Sequence, residues 1–116
     1  MSLRIKLLWI IALRQYQGKV AKYGMRYHNT YDALGVLCNL ATKELHKLDW
    51  ECCNFNAGYY KIDNHYSNLP DQVKIWADLT CNSPKISYKG IITPIHRLSD
   101  QGLSLSVIAD LIEEQL

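Results

Sequence analysis

The residues best suited to ligand chemistry lie in one short segment, where basic side chains alternate with tyrosines. Such cations neutralise phosphate, while the tyrosines offer ring faces and hydroxyls to a base or a sugar. Gly18 and Gly24 allow the backbone to approach a ligand there. The segment therefore predicts a site for an anionic nucleotide. The candidate ligand-binding residues are Arg14, Tyr16, Lys19, Lys22, Tyr23, Arg26, Tyr27 and Tyr31.

A structural role for the same segment is the alternative. In that case the tyrosines pack against the edge of the core while the cations stay in water. The charge pattern of the whole chain favours a partner, because residues 1–31 contain Lys and Arg but no acid, whereas no Lys or Arg follows Arg97. This split favours either an anionic partner for the first third or self-association that pairs the two ends.

A metal site is a second possible use of reactive side chains, centred on Trp50–Tyr66 with Cys52, Cys53, His46 and His65. Structural zinc sites usually contain close pairs such as C-x2-C, because both ligands must reach one tetrahedral ion. Adjacent cysteines on a strand point in opposite directions. We therefore expect no metal ligands and no cofactor, with a metal protein or small enzyme kept as the alternative.

Catalytic motifs are missing from the sequence. It contains no G-x-S-x-G elbow, no H-E-x-x-H and no phosphate-binding glycine-rich loop. Asp63, His65 and Tyr66 are close enough in sequence to act as acid and base, but an aromatic-rich turn explains them equally well. We expect no catalytic residues, and a protein that binds rather than an enzyme.

The elements that position these residues are mainly helical. Apolar residues at three- and four-residue spacing predict helices over residues 3–16, 34–48, 70–79, 93–101 and 105–116, with Asp32 and Ser104 as caps. A change of period predicts a hairpin over Trp50–Tyr66 around Asn56–Gly58, and Lys85–Tyr88 a further strand. We predict one domain over residues 1–116, of α+β class, mainly helical, with four or five helices and a short β-hairpin or small antiparallel sheet.

The first helix is apolar on nearly every side. Its predicted stripe is Ile5, Leu8, Trp9, Ala12, Leu13 and Tyr16, with Leu7, Ile10 and Ile11 outside it. Such a helix must be covered on more than one side, which favours a homo-oligomer. The apolar run is too short for a membrane span, which needs about 20 residues, and lacks a cleavage site. We expect a cytoplasmic protein without a membrane partner.

The C-terminal stretch from His96 to Leu116 looks like the opening of a helix-turn-helix. A DNA reader needs a further recognition helix and cations that contact phosphate. This end of the chain is acidic, so we do not expect DNA as a partner.

Four pieces of the chain resemble a group of small phage and prophage proteins of uncharacterised function. The pieces are ALGVLCNL at residues 33–40, Trp50, LPDQVKIWADL at residues 69–79 and LSDQGLSLSVIADLI at residues 98–112. The group has an L-G-V-L-C-x-L helix, a central Trp, an L-P-x-x-V-x-x-W segment and an L-x-D-x-G-x-S-x-x-x-I-A ending. The resemblance implies a shared fold, because these are core, cap and turn residues. Asp32 and Ala33 stand where cysteines often precede the Leu-Gly step of the group, so no shared thiol or metal role is implied.

A phage origin sets the expected role, because small phage proteins without catalytic residues often act by occupying a host component. We expect a phage-encoded binding protein in the host cytoplasm that antagonises a host process, as in counter-defence. It would sequester a phosphate-bearing nucleotide ligand or mask a host protein. An accessory protein of the virion or of nucleic acid is the remaining alternative.

Overall fold

The computed structural model describes residues 1–53 and 57–116. Within them it contains five helices, one four-stranded sheet and one two-stranded sheet, which confirms the α+β prediction. The helices are α1 (Leu3–Gln15), α2 (Ala33–Glu44), α3 (Asp71–Trp76), α4 (Ile95–Asp100) and α5 (Leu105–Gln115). The strands are β1 (Arg26–Tyr27), β2 (Thr30–Tyr31), β3 (Trp50–Cys52), β4 (Tyr59–Ile62), β5 (Lys85–Tyr88) and β6 (Ile91–Pro94).

The larger sheet has the strand order β2-β1-β4-β3, and each neighbouring pair is antiparallel. The predicted hairpin of Trp50–Tyr66 is the β3–β4 pair, while the part of its turn at Asn56 lies outside the described residues. Strand β5 was also predicted, but its partner β6 was not. Lys89 and Gly90 connect the two with positive φ angles of 51° and 79°, as a tight hairpin turn requires.

The starts of α2 and α5 follow the predicted capping residues, whereas α4 begins at Ile95 and not at the predicted Thr93, because Thr93 and Pro94 belong to β6. Asp32 Oδ1 accepts a hydrogen bond from the Gly35 amide at 2.8 Å, and the Ser104 hydroxyl accepts one from the Val107 amide at 3.2 Å. Pro70 is the residue before α3 rather than its first helical residue, and α3 ends at Trp76 instead of extending to 79. The left-handed φ of 54° at Asp78 shows that the chain leaves the helical path there.

The core lies where α1, α2 and α5 meet. Trp9 is fully buried, and its indole Nε1 donates to the Ala33 carbonyl at 2.9 Å. The predicted stripe on α1 was wrong at one position, because Ile10 is buried and Leu8 is 36% exposed. Helix α5 contacts Lys6 and Arg14, which lie four residues before and after Ile10 on the same face of α1, and this shifts the covered side of α1 toward Ile10.

The opposite charges of the two chain ends meet within one molecule. The Arg14 guanidinium lies 2.8 Å from Asp110 and 2.9 Å from Glu113, and Lys6 Nζ donates to the Glu113 carbonyl at 3.0 Å. These ion pairs are exposed and so contribute little to stability. They neutralise the charge of Arg14, whereas Lys6 contacts a neutral carbonyl oxygen and keeps its charge. Among the described residues, no helix is long and apolar enough to cross a bilayer.

Candidate functional site

The basic, tyrosine-rich segment is divided by the β-sheet. Arg26 and Tyr27 are consecutive residues of β1, so their side chains point to opposite faces. On one face Arg26 is paired with Tyr31 of β2 and Tyr60 of β4. On the other face Tyr27 is paired with Thr30 and Tyr59. The candidate residues therefore belong to separate places on the molecule.

The face that carries Arg26 is a cation–π cluster. The guanidinium carbon lies 3.9 Å from the Tyr60 ring centre, 5.3 Å from that of Tyr31 and 5.6 Å from that of Trp50. Arg26 Nε also donates to the His28 carbonyl at 2.8 Å. These contacts fix the side chain across all four strands, and they identify Arg26 as a residue that stabilises the sheet.

The opposite face forms a groove of about 390 Å³, which we call the lysine groove. Its polar and aromatic lining is Lys19, Lys22, Tyr23, Tyr27, His28, Thr30 and Tyr59. The Tyr27 ring lies 4.8 Å from that of Tyr59 and 4.4 Å from the imidazole of His28, measured between ring centres. The groove thus combines two cations with a continuous aromatic wall.

Two glycines let the aromatic rings lie directly on the backbone. A Cβ at Gly58 would be 2.5 Å from the Tyr27 ring and 2.8 Å from His28 Nε2. A Cβ at Gly24 would be 2.8 Å from the Tyr59 ring. Gly24 thus allows a close approach by the protein's own tyrosine, while Gly18 has no atom near its Cβ position and serves the turn after α1 with a φ of 99°.

Hydrogen bonds fix the loop that carries both lysines. The Tyr16 hydroxyl donates to the Lys19 carbonyl at 2.7 Å and accepts from the Tyr31 amide at 2.8 Å. The Tyr59 hydroxyl donates to the Lys22 carbonyl at 2.9 Å. The exposed ammonium groups themselves make no hydrogen bond or ion pair with any residue in the described part of the chain. They remain available to an anion.

Four of the eight candidate residues line the lysine groove: Lys19, Lys22, Tyr23 and Tyr27. The other four lie elsewhere. Arg14 is paired with α5, and hydrogen bonds from its guanidinium to Asp110 and Glu113 raise the pKa of Arg14. Tyr16 supports the loop, and Arg26 and Tyr31 lie on the cation–π face.

Three polar or aromatic residues of the groove were not among the candidates: His28, Thr30 and Tyr59. His28 and Thr30 fall inside the basic segment and could have been included on position alone. Tyr59 enters through the pairing of β1 with β4, which joins residues far apart in sequence. The sequence feature that could have indicated Tyr59 is the Gly58-Tyr59 step, where a glycine precedes the ring that packs in the groove.

The alternative metal site has no corresponding cluster of ligands in residues 1–53 and 57–116. No three His, Cys, Asp or Glu side chains converge there to hold a metal ion. Cys52, at the end of β3, is exposed, and the following Cys53 is buried. His65 Nδ1 lies 2.7 Å from the Asp63 carbonyl oxygen, not from its carboxylate, so this contact belongs to a turn.

Comparisons with known proteins place the whole chain in one family. Neither the curated proteins nor the solved structures include a match to it. The family match extends over residues 1–116, and its description is a domain of unknown function, DUF8296. This chain is a member of the DUF8296 family.

Proposed function

We propose that this protein is a phage-encoded binding protein of the host cytoplasm that antagonises a host process by sequestering a phosphate-bearing nucleotide ligand. The lysine groove is the binding site in this proposal. The phage context rests on the sequence resemblance of residues 33–112. The ligand class rests on the groove, and the two can be tested separately.

The observation that carries the ligand class is that Lys19 and Lys22 line the same groove as Tyr23, Tyr27 and Tyr59. The lysines supply charge for a phosphate group, while the tyrosine rings supply faces for a base. The volume of about 390 Å³ falls within the usual range of small-molecule sites. A groove of this kind favours a nucleotide over a bare inorganic anion.

Isothermal titration calorimetry at low ionic strength tests this proposal. The wild-type chain is titrated with adenosine 5′-monophosphate and with inorganic pyrophosphate. The double variant Lys19→Gln/Lys22→Gln should weaken binding of both probes at least tenfold, since each lost phosphate contact removes a charge-assisted hydrogen bond. The matched control is Lys43→Gln/Lys47→Gln, which makes the same charge change at exposed positions outside the groove and should leave both affinities unchanged.

Two results would contradict the proposal. One is that neither probe binds the wild type, which would favour the masking of a host protein as the function. The other is an equal loss of affinity in both double variants, which would show that net charge alone attracts the probes.

The exposed side of α1 favours self-association as a second proposal. Leu3, Leu7 and Ile11 follow one another at four-residue spacing, with exposed fractions of 69%, 51% and 51%. Ion pairs within the chain flank this stripe, with Arg4 bound to Glu44 on one side and Arg14 bound to α5 on the other. Two copies can therefore approach without like-charge repulsion, and we propose a homo-oligomer formed through this stripe.

Sedimentation velocity measures the expected assembly. The wild type should sediment as a dimer or larger species, and Leu7→Glu should sediment as a monomer because it places a charge in the centre of the interface. Ile75→Glu is the matched control, since Ile75 is 72% exposed on α3. A wild type that is monomeric at all concentrations would contradict the proposal.

A further inference from the structure

A second cleft adjoins the lysine groove. It has a volume of about 220 Å³ and is lined by Tyr23, Gly24, Asp32, Tyr66, Ser67, His96 and Asp100. We call it the polar cleft. Tyr23 lines both cavities, so the loop that contains it is the wall between them.

Hydrogen bonds on both sides of Tyr23 fix the loop that separates the two cavities. The Tyr59 hydroxyl donates to the Lys22 carbonyl at 2.9 Å, and the Met25 amide donates to the Tyr66 carbonyl at 2.7 Å. Between these anchors Tyr23 has a left-handed φ of 64°, and its amide donates to Asp100 Oδ1 at 2.8 Å. Tyr23 is 71% exposed and lines both cavities.

Helix α4 supplies the polar atoms of this cleft. His96 and Asp100 are four residues apart, so they lie on the same face of the helix, one turn from each other. Asp100 Oδ1 is occupied by the Tyr23 amide, whereas Oδ2 accepts no hydrogen bond from the part of the chain that the structure describes. His96 Nδ1 is 3.4 Å from the Ser83 hydroxyl. The other ring nitrogen, Nε2, takes no part in this contact.

The two cavities differ in charge. The lysine groove carries Lys19 and Lys22, while the polar cleft carries the carboxylate of Asp100. A carboxylate repels phosphate and accepts hydrogen bonds from hydroxyl groups. A ligand that spans Tyr23 is therefore oriented, with its phosphate over the lysines and its hydroxyl groups toward α4.

We propose that the polar cleft is the sugar subsite of a composite nucleotide site, in which Asp100 and His96 bind the ribose hydroxyls while Lys19 and Lys22 bind the phosphate. This inference rests on the proposed function of the lysine groove and specifies its ligand as a ribonucleoside phosphate. Asp100 and His96 together recognise a vicinal pair of hydroxyls, one through the free carboxylate oxygen and one through the imidazole. The Tyr23 ring lies between the subsites, where it can contact the nucleoside.

Calorimetric titration with matched probes tests the sugar subsite. The probes are the 5′-monophosphates of adenosine and uridine, their 2′,3′-dideoxy analogues and inorganic pyrophosphate. Wild-type protein should bind each ribonucleotide about tenfold more tightly than its dideoxy analogue, which is the effect of a hydrogen bond to a charged group. Asp100→Asn should remove most of this difference and leave the affinity for pyrophosphate unchanged.

Asp100→Asn also changes the acceptor of the Tyr23 amide, so a second variant is needed. His96→Gln keeps Asp100 and should reduce the preference for the ribonucleotide about threefold, again without an effect on pyrophosphate. If wild-type protein binds ribonucleotide and dideoxynucleotide equally well, the sugar subsite is refuted while the lysine groove stands. If it binds none of the five probes, the proposed function itself fails. A similar loss for pyrophosphate in both variants would assign α4 a structural role only and overturn the inference.

Discussion

Arg26 and Tyr27 are neighbours in the sequence, but their side chains lie on opposite faces of the four-stranded sheet. Arg26 packs on Tyr60 at 3.9 Å, and Tyr27 packs on Tyr59 at 4.8 Å. This alternation divides one continuous basic segment between a sheet-stabilising cluster and the lysine groove. Charge changes at these two faces should therefore have different consequences.

The Tyr16 hydroxyl should be important for stability, because it joins Lys19 to Tyr31 through two hydrogen bonds. Tyr16→Phe removes both bonds and should lower the free energy of unfolding by about 1–3 kcal/mol. Urea denaturation measures the change. Tyr23→Phe is the control, since its side chain is 71% exposed, and it should shift the free energy by less than about 0.5 kcal/mol. Equal effects of the two substitutions would show that the bonds of Tyr16 are not stabilising.

Asp32 should make stability depend on pH. Its carboxyl is 1% exposed, and burial raises its pKa from 3.8 to about 8, with the nearby charge of Asp100 acting in the same direction. Folding therefore takes up a proton between about pH 4 and pH 8, because the unfolded carboxyl is ionised in this range. The free energy of unfolding should fall as pH rises through this window, by up to about 1.4 kcal/mol per pH unit.

Asp32→Asn isolates this contribution, since Asn caps a helix as well as Asp does. Denaturation midpoints of both proteins are compared from pH 5 to pH 9. Relative to the variant, the wild type should lose stability with rising pH and level off above about pH 8. A constant difference between the two proteins across this range would refute the protonated state of Asp32.

Gly35→Ala should destabilise the protein although Gly35 lies inside a helix. Alanine normally stabilises a helix by about 1 kcal/mol relative to glycine. Here a Cβ would be 2.0 Å from the Met25 carbonyl oxygen and 2.9 Å from its carbon, so it would meet backbone that cannot rotate away. We expect a loss of about 3 kcal/mol or more in urea denaturation. Stabilisation by Gly35→Ala would show that the loop at Met25 moves freely.

The helices and the scaffold could be predicted from the sequence because they are local. The capping of α2 by Asp32 and α5 by Ser104 depends on residues within one turn, and the apolar spacing marks the buried sides. Which side of α1 is covered depends on α5, at the far end of the chain. The apolar spacing therefore predicted that Leu8 is buried, whereas the structure buries Ile10.

The sequence predicted which segment contributes to the candidate site, but not which residues of that segment share one surface. A segment of alternating cations and tyrosines predicts a binding site from composition alone, without reference to its backbone conformation. The division of this segment between two faces depends on β1. This strand has two residues, so it is too short to show the alternating pattern of a strand in the sequence. The contribution of Tyr59 and the neighbouring cleft of α4 depend on long-range pairing and packing, which spacing along the chain does not encode.

Amide chemical-shift mapping by NMR tests the central claim most directly, because it locates the binding face residue by residue. Uniformly ¹⁵N-labelled protein is titrated with inorganic pyrophosphate. We expect saturable amide chemical-shift changes at the lysine groove, centred on Lys19, Lys22, Tyr27 and Tyr59. No matching changes should occur along α1 at Arg14. Saturable shifts centred on α1 and α2 instead, or no saturable shifts at all, would contradict the central claim.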